Sequence, residues 1–445
     1  MHFNQLTYPE ITKKFLKFEE KYNLLFLKVD GVFPWQIARI PIFLHIVDQL
    51  IPGSTAPINK SKKKQLKDLL HRLFINVLFF NPFLDFKHKK VIVIESGRKY
   101  RDEGSYIDIY TEYLCQQLDK DHVTYTRYEN NYNIDDALIK RKLNIKHLDF
   151  ILLFSKLKTK FIKSSWSEID VQKIQEITHA LESEFGLKID LPQIFDDEIR
   201  RFKAEVNLYS KLFRLKKAEE IYITNSSEKA SVIEAAKNNG MLVKELQHGL
   251  MSDKDVISNY PYTNSGTLRY FPHQFYIWDN VDMFFGKLPL EEKNIIPFRN
   301  RHIERYVQKT ANILKEDKTI LVISQPYGSA EIQEFIKSNH IILSEYSIIY
   351  KMHPSENEQL FSTFKNEFSK VPNIRFVNNE ESMYVLLKKA KYALGIYSSS
   401  LFEAKAFDCK VILLNLPGVE MSFPLLRNRE NKLIDINQKV SDILI

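Results

Sequence analysis

Two open parallel sheets, each covered by helices and facing one another across a cleft, are what this sequence predicts. Three observations carry that α/β expectation. Short apolar runs rich in β-branched residues recur, as strands buried on both faces of a parallel sheet require. Each run leads into a segment of helix length, so strands and helices alternate. The alternation occurs in two series, separated by the charged residues 291–318. At 445 residues the chain is also too long for one ordinary core, and two domains of roughly 200 residues are expected.

In chain order, residues 1–90 read as a mainly helical region packed on the first domain. Apolar positions are periodic from Ile11 to Phe26 and from Trp35 to Ile51, interrupted by Pro34 and Pro41. Residues 91–290 form the first series. Val91–Ile94 is a strand, followed by a polar loop and a helix from about Tyr106 to Leu118. Strands are expected at 123–126 and 150–154, then a long helical stretch from Trp166 to Lys217. Strands at 220–224 and 241–246 flank a helix over 226–238 that ends at Asn239-Gly240, and 274–278 closes the series. Residues 291–445 repeat the pattern, with strands at 319–323, before His353, and at 373–377, 394–397 and 410–414. Two Rossmann-like halves follow, with ligands expected at the carboxyl ends of the strands.

Composition excludes several classes. Apolar and charged fractions of 44% and 27% are those of a soluble globular protein. Cys115 and Cys409 are the only cysteines, so a disulfide framework is excluded and a reducing compartment is expected. The first residues are mixed and charged rather than signal-like, and no apolar run approaches the ~20 residues that span a bilayer. A cytoplasmic protein is expected. There is no P-loop and no GxGxxG, and Asp196-Asp197 falls in a helical region. ATP hydrolysis, dinucleotide redox chemistry and a metal-held diphosphate are therefore disfavoured, and neither a metal nor a cofactor is expected.

The net charge of +8 is uneven. Lys60, Lys62, Lys63, Lys64, Lys67, His71 and Arg72 precede an apolar run from Leu73 to Phe80, and Lys87, His88, Lys89 and Lys90 follow it. Such a segment suits the interface of an anionic membrane, hence the cytoplasmic face of the inner membrane; the plainer reading is a buried helix with a solvated basic end. No zinc-finger spacing or RNP-like strand supports a nucleic-acid partner.

Four phrases carry candidate chemistry. In Tyr350–Glu356, Pro354 fixes the backbone after His353 and holds its imidazole at a strand tip, where it can give a proton or hydrogen bond to a phosphate oxygen. Lys351 projects to the same side of the strand and adds charge. Ser398, Ser399 and Ser400 stand where a strand becomes a helix: one serine is needed as a cap, and three offer an anion seat. Glu403, about one turn on, is placed to accept hydrogen bonds from ribose hydroxyls, or simply compensates the helix dipole. Gln247-His248-Gly249 ends the strongest strand of the first half, with Gly249 allowing a sharp turn and His248 a candidate base or phosphate ligand. Asp102-Glu103-Gly104 offers a second candidate base, since adjacent carboxylates raise one another's pKa. Asp108 and Glu112 read as a solvated pair on one helix face.

Together these phrases resemble the GT-B glycosyltransferases of bacterial capsule and lipopolysaccharide biosynthesis. The His-Pro motif followed by a serine pair is similar to that of sialyltransferases and polysialyltransferases, and of Kdo and teichoic-acid polymerase relatives. The resemblance implies that His353 contacts the donor phosphate, that a pair among Ser398–Ser400 binds the same phosphate, and that Asp102-Glu103-Gly104 matches the acidic motif holding the base. Phe402-Glu403-Ala404 resembles the ribose-binding phrase of nucleotide-sugar transferases, and Gln247-His248-Gly249 a turn of capsule transferases. The implied activity is metal-independent transfer of a sugar from a CMP- or UDP-activated donor, a substrate rather than a cofactor, to a growing surface glycan or glycolipid acceptor. Two rivals stand beside it: a nucleotide-sugar 2-epimerase of the same fold, and a noncatalytic glycan-assembly partner.

Overall fold

The computed structural model describes residues 6–51, 76–102, 105–130, 145–261, 268–325, 328–339, 341–353, 356, 358–369, 371–378 and 381–438. The first half holds strands β1 (Val91–Ile94), β2 (Lys99–Asp102), β3 (Ser105–Asp108), β4 (Tyr125–Glu129), β5 (Ile145–His147), β6 (Glu220–Ile223), β7 (Leu242–Leu246), β8 (Gln274–Trp278) and β9 (Ile295–Phe298). Helices α1 (Tyr8–Lys21) and α2 (Pro34–Leu50) precede them, and α3 (Glu112–Lys120), α4 (Asp149–Thr159), α5 (Glu168–Phe185), α6 (Leu191–Lys216) and α7 (Ala230–Asn238) connect them. A seven-stranded parallel sheet runs β5-β4-β1-β6-β7-β8-β9. Its last strand comes from beyond residue 290.

The second half begins with α8 (Arg301–Lys309) and β10 (Glu316–Ile323), and continues with α9 (Ser329–Asn339), β11 (Ser347–Lys351), α10 (Glu358–Glu367), β12 (Ile374–Val377), α11 (Met383–Lys389), β13 (Ala390–Gly395), α12 (Ser399–Glu403), β14 (Lys410–Leu414) and β15 (Lys432–Ile434). Its six-stranded sheet, β12-β11-β10-β13-β14-β15, is parallel throughout. The strand order reverses beside β1 in one sheet and beside β10 in the other, the places where such sheets open a crevice at their carboxyl ends. This is an α/β fold of the GT-B kind.

Several local expectations are corrected. Residues 106–118 do not make one helix: β2 and β3 form an antiparallel hairpin first, and the helix starts at Glu112. Asp108 therefore ends a strand and is fully buried rather than solvated, and Glu112 pairs with Arg127 at 2.9 Å. Residues 150–154 are helical, not a strand. Only Ile151 among them is β-branched, and the apolar positions Phe150, Phe154 and Leu157 continue at helical spacing. Strands β5, β9 and β15 all lie at sheet edges; β5 and β15 have three residues each, and β9 carries Pro297, so none reads as a buried strand.

The N-terminal helices do hold to the first half. Phe15, Trp35 and Phe43 are buried among side chains of α5, α6 and β8. Arg39, itself buried, donates to Glu19 at 2.6 and 2.8 Å and to the carbonyls of Val256 and Asn259 at 2.6 and 2.7 Å. It thereby ties α2 to the loop that follows β7. Breaking one partner of such a pair leaves an uncompensated buried charge, so Arg39→Leu is expected to cost about 3–5 kcal/mol, read as a lower unfolding midpoint in urea. A midpoint equal to wild type contradicts that role. Cys115 and Cys409 are buried free thiols. Among the described residues, no helix is long and apolar enough to cross a membrane. Of the basic run, residues 60–72 lie outside the described residues.

Candidate functional site

The first wall of the cleft is built on β1 and β7. After Ile94 the chain must turn at once, and Gly97 does so at φ +79°, a conformation strained for any residue with a side chain. The turn delivers Arg98, which stays open to solvent and donates to the Tyr110 hydroxyl at 2.7 Å. Asp108 fixes both residues. Its carboxylate accepts from the Ser96 hydroxyl at 2.7 Å and from the backbone N–H groups of Gly97, Tyr110 and Thr111 at 3.1 Å each.

At the end of β7, Gln247 is fully buried. Its amide donates to the carbonyls of Gly249 and Met283 at 2.9 and 3.0 Å and accepts from the Trp278 N–H at 2.8 Å. The clamp, not a left-handed glycine, shapes the turn: Gly249 has no positive φ, and a Cβ there meets open space. His248 is thus presented beside Tyr110, edge to face at 6.4 Å, and Tyr110 in turn stacks on Trp278 at 6.0 Å. Its Nδ1 is buried with no hydrogen-bond partner among the described residues. Burial, with the positive charges of Lys229 and Arg98, pushes its pKa down to about 4, so the ring is neutral at pH 7.

The second wall is built on β11 and β13. His353 follows β11, and its backbone N–H donates to Glu356 at 3.3 Å. Glu356 is buried and also accepts from the Tyr350 hydroxyl at 2.7 Å and from Gln333 at 3.2 Å, while the same Tyr350 hydroxyl lies 2.8 Å from that of Ser324. Burial and the charge of Arg98 hold the His353 pKa below its ordinary value. Lys351 departs from the sequence reading. It is mostly buried, and its ammonium donates to the backbone carbonyls of Asn378 and Glu381, so it secures the strand end rather than facing the cleft. Ser398 is the cap of α12, accepting from the Ser400 N–H at 3.2 Å, which leaves Ser399 and Ser400 half-buried in the first turn.

Glu403 closes the arrangement. Burial pushes its pKa up to about 7, and Arg98 pulls it back. An unfolded glutamate ionises near 4.5, so folding favours the protonated form here. That contribution is complete below about 4.5 and is lost as the pH rises through about 7. Glu403→Gln is therefore expected to flatten the fall in melting temperature across this interval and to gain on wild type above neutrality; parallel curves for the two proteins contradict the shift.

Arg98 acts electrostatically on His248, His353 and Glu403, and so brings together residues from both halves. The halves also touch directly. Tyr100 of β2 donates to the Ser382 hydroxyl at 2.5 Å and packs against His302, Tyr306 and Tyr384. Asp102 ends this same strand; its backbone is described, whereas Glu103 and Gly104 lie outside the described residues, as do Pro354 and Ser355. Sequence reasoning missed Arg98, Tyr110 and Glu356. The Glu95–Arg98 phrase stands after the Val91–Ile94 run as Gln247–Gly249 stands after β7, so the same rule applied to it points to Arg98. Among the described residues no group of three or more His, Cys, Asp or Glu is placed to hold a metal ion.

The profile of the alpha-2,8-polysialyltransferase (POLYST) family matches residues 104–415, more than half of the chain. No curated protein matches it in sequence. Among solved structures, the UDP-GlcNAc 2-epimerase of Neisseria meningitidis bound to UDP-GlcNAc aligns over 80% of this chain and 88% of its own at 12% identity and a TM-score of 0.47. MurG of Acinetobacter baumannii aligns over 80% and 88% at 11% identity and a TM-score of 0.45. Likenesses of this size carry no functional argument.

Proposed function

We propose that this chain, which belongs to the alpha-2,8-polysialyltransferase family, transfers a sialyl residue from a CMP-activated donor to a hydroxyl of a growing bacterial surface glycan. The single observation that supports the reading best is that Arg98, presented by the turn after β1, lies near enough to His248 of its own half and to His353 and Glu403 of the other to act on each electrostatically.

In this reading the bond between the donor sugar and its phosphate breaks as the acceptor hydroxyl attacks the anomeric carbon. The acceptor proton passes to a base on the first wall, and the electron pair stays on the departing phosphate. Arg98 and His353 meet that phosphate charge, where preorganised groups in a water-poor site contribute most. Ser399 and Ser400 add hydrogen bonds to the same phosphate, and Glu403 takes the ribose hydroxyls. His248 is the base we favour, since it is neutral and its Nδ1 has no hydrogen-bond partner among the described residues; Asp102 and Glu103 are the other candidates. Donor binding itself raises basicity. The phosphate neutralises Arg98, which removes a positive charge holding both histidines down, so His248 becomes the stronger base and His353 holds a proton more readily. No metal takes part in these steps. Closure of the two halves over the donor limits its hydrolysis.

The test is elongation of an oligosialic acid acceptor with CMP-sialic acid. Longer chains support the reading. Donor consumed with no acceptor extended, or elongation from UDP-sugars alone, overturns it in favour of an epimerase-like enzyme or another donor.

A further inference from the structure

A surface away from the cleft has the composition of a lipid-docking face. α4 follows the edge strand β5 and buries Ile151 and Ser155 against the domain. Its outer side carries Phe154, Leu157 and, just past the helix end, Phe161, and the half-buried Phe150 begins the same stripe at spacings of four, three and four. Phe154 is 44% exposed, Leu157 56% and Phe161 85%. A soluble surface scatters single apolar side chains, but it does not line them up along a helix.

The stripe does not stand alone. Phe83 packs on Phe150 at 5.5 Å, and Phe150 stacks on Phe154 at 4.7 Å. This contact joins the helix to the segment 76–90, which adds Phe79, Leu84 and Phe86, all more than half exposed. The segment is fixed in place by the Phe80 carbonyl, which accepts from the His147 N–H at 2.8 Å, and by Asn76, which donates to Asp149 at 2.9 Å. The patch therefore unites two stretches far apart in sequence.

Its charge says what covers it. Lys156, Lys158, Lys160 and Lys163 flank the stripe, and Lys87 and Lys89 flank the other segment. The two acids of these stretches are spent internally, Asp149 being buried on Asn76 and Asp85 paired with Lys216 at 3.0 Å. Large apolar tips ringed by unopposed lysines suit a bilayer rich in anionic headgroups, with the rings entering the acyl boundary and the ammonium groups staying among the phosphates. We propose that the face formed by α4 and residues 76–90 docks this protein on an anionic membrane surface.

The experiment is co-sedimentation of the full chain with vesicles of phosphatidylcholine alone and of phosphatidylcholine with phosphatidylglycerol, at low and at high salt. Wild type is expected to pellet with the anionic vesicles and to be released by salt. The triple change Lys156→Gln, Lys158→Gln, Lys160→Gln is expected to weaken partitioning roughly a hundredfold, at about fivefold for each charge. The double change Phe154→Ser, Phe161→Ser is expected to abolish it. Both changes are on the surface, and an unaltered melting temperature confirms that the fold persists. Wild type left in the supernatant with anionic vesicles overturns the proposal, as do variants that bind like wild type. So does a wild-type dimer that the serine changes split, with no vesicle binding, since the face then seats a second copy. Nucleotide binding plays no part in these outcomes, so the result is independent of the transfer reading.

Discussion

Replacing Arg98 by alanine is expected to lower kcat/KM for transfer by about 10²–10³, the range for losing one preorganised charge-stabilising group. Most of the loss should fall on kcat, because in the proposed reaction the phosphate charge assigned to Arg98 grows as the glycosidic bond breaks. The same change has a titration signature that a merely structural residue lacks. Arg98 lowers the pKa of His248, His353 and Glu403 alike. Without it, all three should rise, and the acid limb of the pH–rate profile should move to higher pH. Arg98→Lys keeps the charge and should restore the profile while losing the fork that binds a phosphate through two donors. An Arg98→Ala enzyme with wild-type kcat and an unmoved profile refutes the role.

His353→Ala is the second large effect. A side chain that hands a proton to a leaving group contributes about 10²–10⁴ in rate, and the variant should lose that much transfer while melting like wild type. Its backbone N–H is held by the Glu356 carboxylate, which Tyr350 and Gln333 hold in turn. Glu356→Gln should consequently lower both transfer and stability, whereas His353→Ala should lower transfer alone. Near-normal turnover in His353→Ala contradicts the assignment.

The two-sheet architecture was legible in the sequence because buried parallel strands write themselves as apolar runs. Val91–Ile94, Gln274–Trp278 and Lys410–Leu414 fall where the runs predict them. What hid were elements whose signal depends on context. The β2–β3 hairpin is built from Lys99–Asp102 and Ser105–Asp108, too polar and too short to stand out. Phe150–Phe154 has the apolarity of a strand, but its exposed stripe shows only on a helix.

Within the site, the residues at strand ends were visible because histidine-proline, glutamine-histidine-glycine and serine runs are unusual at such positions. Lys351 was misdirected because alternation along a strand gives a side and not a partner; the carbonyls of Asn378 and Glu381 come from a neighbouring strand end and loop. Arg98 was hidden for the converse reason. Its importance lies in spanning the cleft toward His353 and Glu403, more than 250 positions along the chain, a relation no local pattern encodes.

The central claim is that the cleft holds a cytidine nucleotide between Arg98 and His353. The most direct measurement is the melting temperature of wild type and of Arg98→Ala with CMP, UDP, GDP and CDP, each at saturating concentration. CMP should raise the midpoint of wild type more than the others, and Arg98→Ala should lose that increment. No stabilisation by any of the four, or an increment by CMP that survives the loss of Arg98, contradicts it.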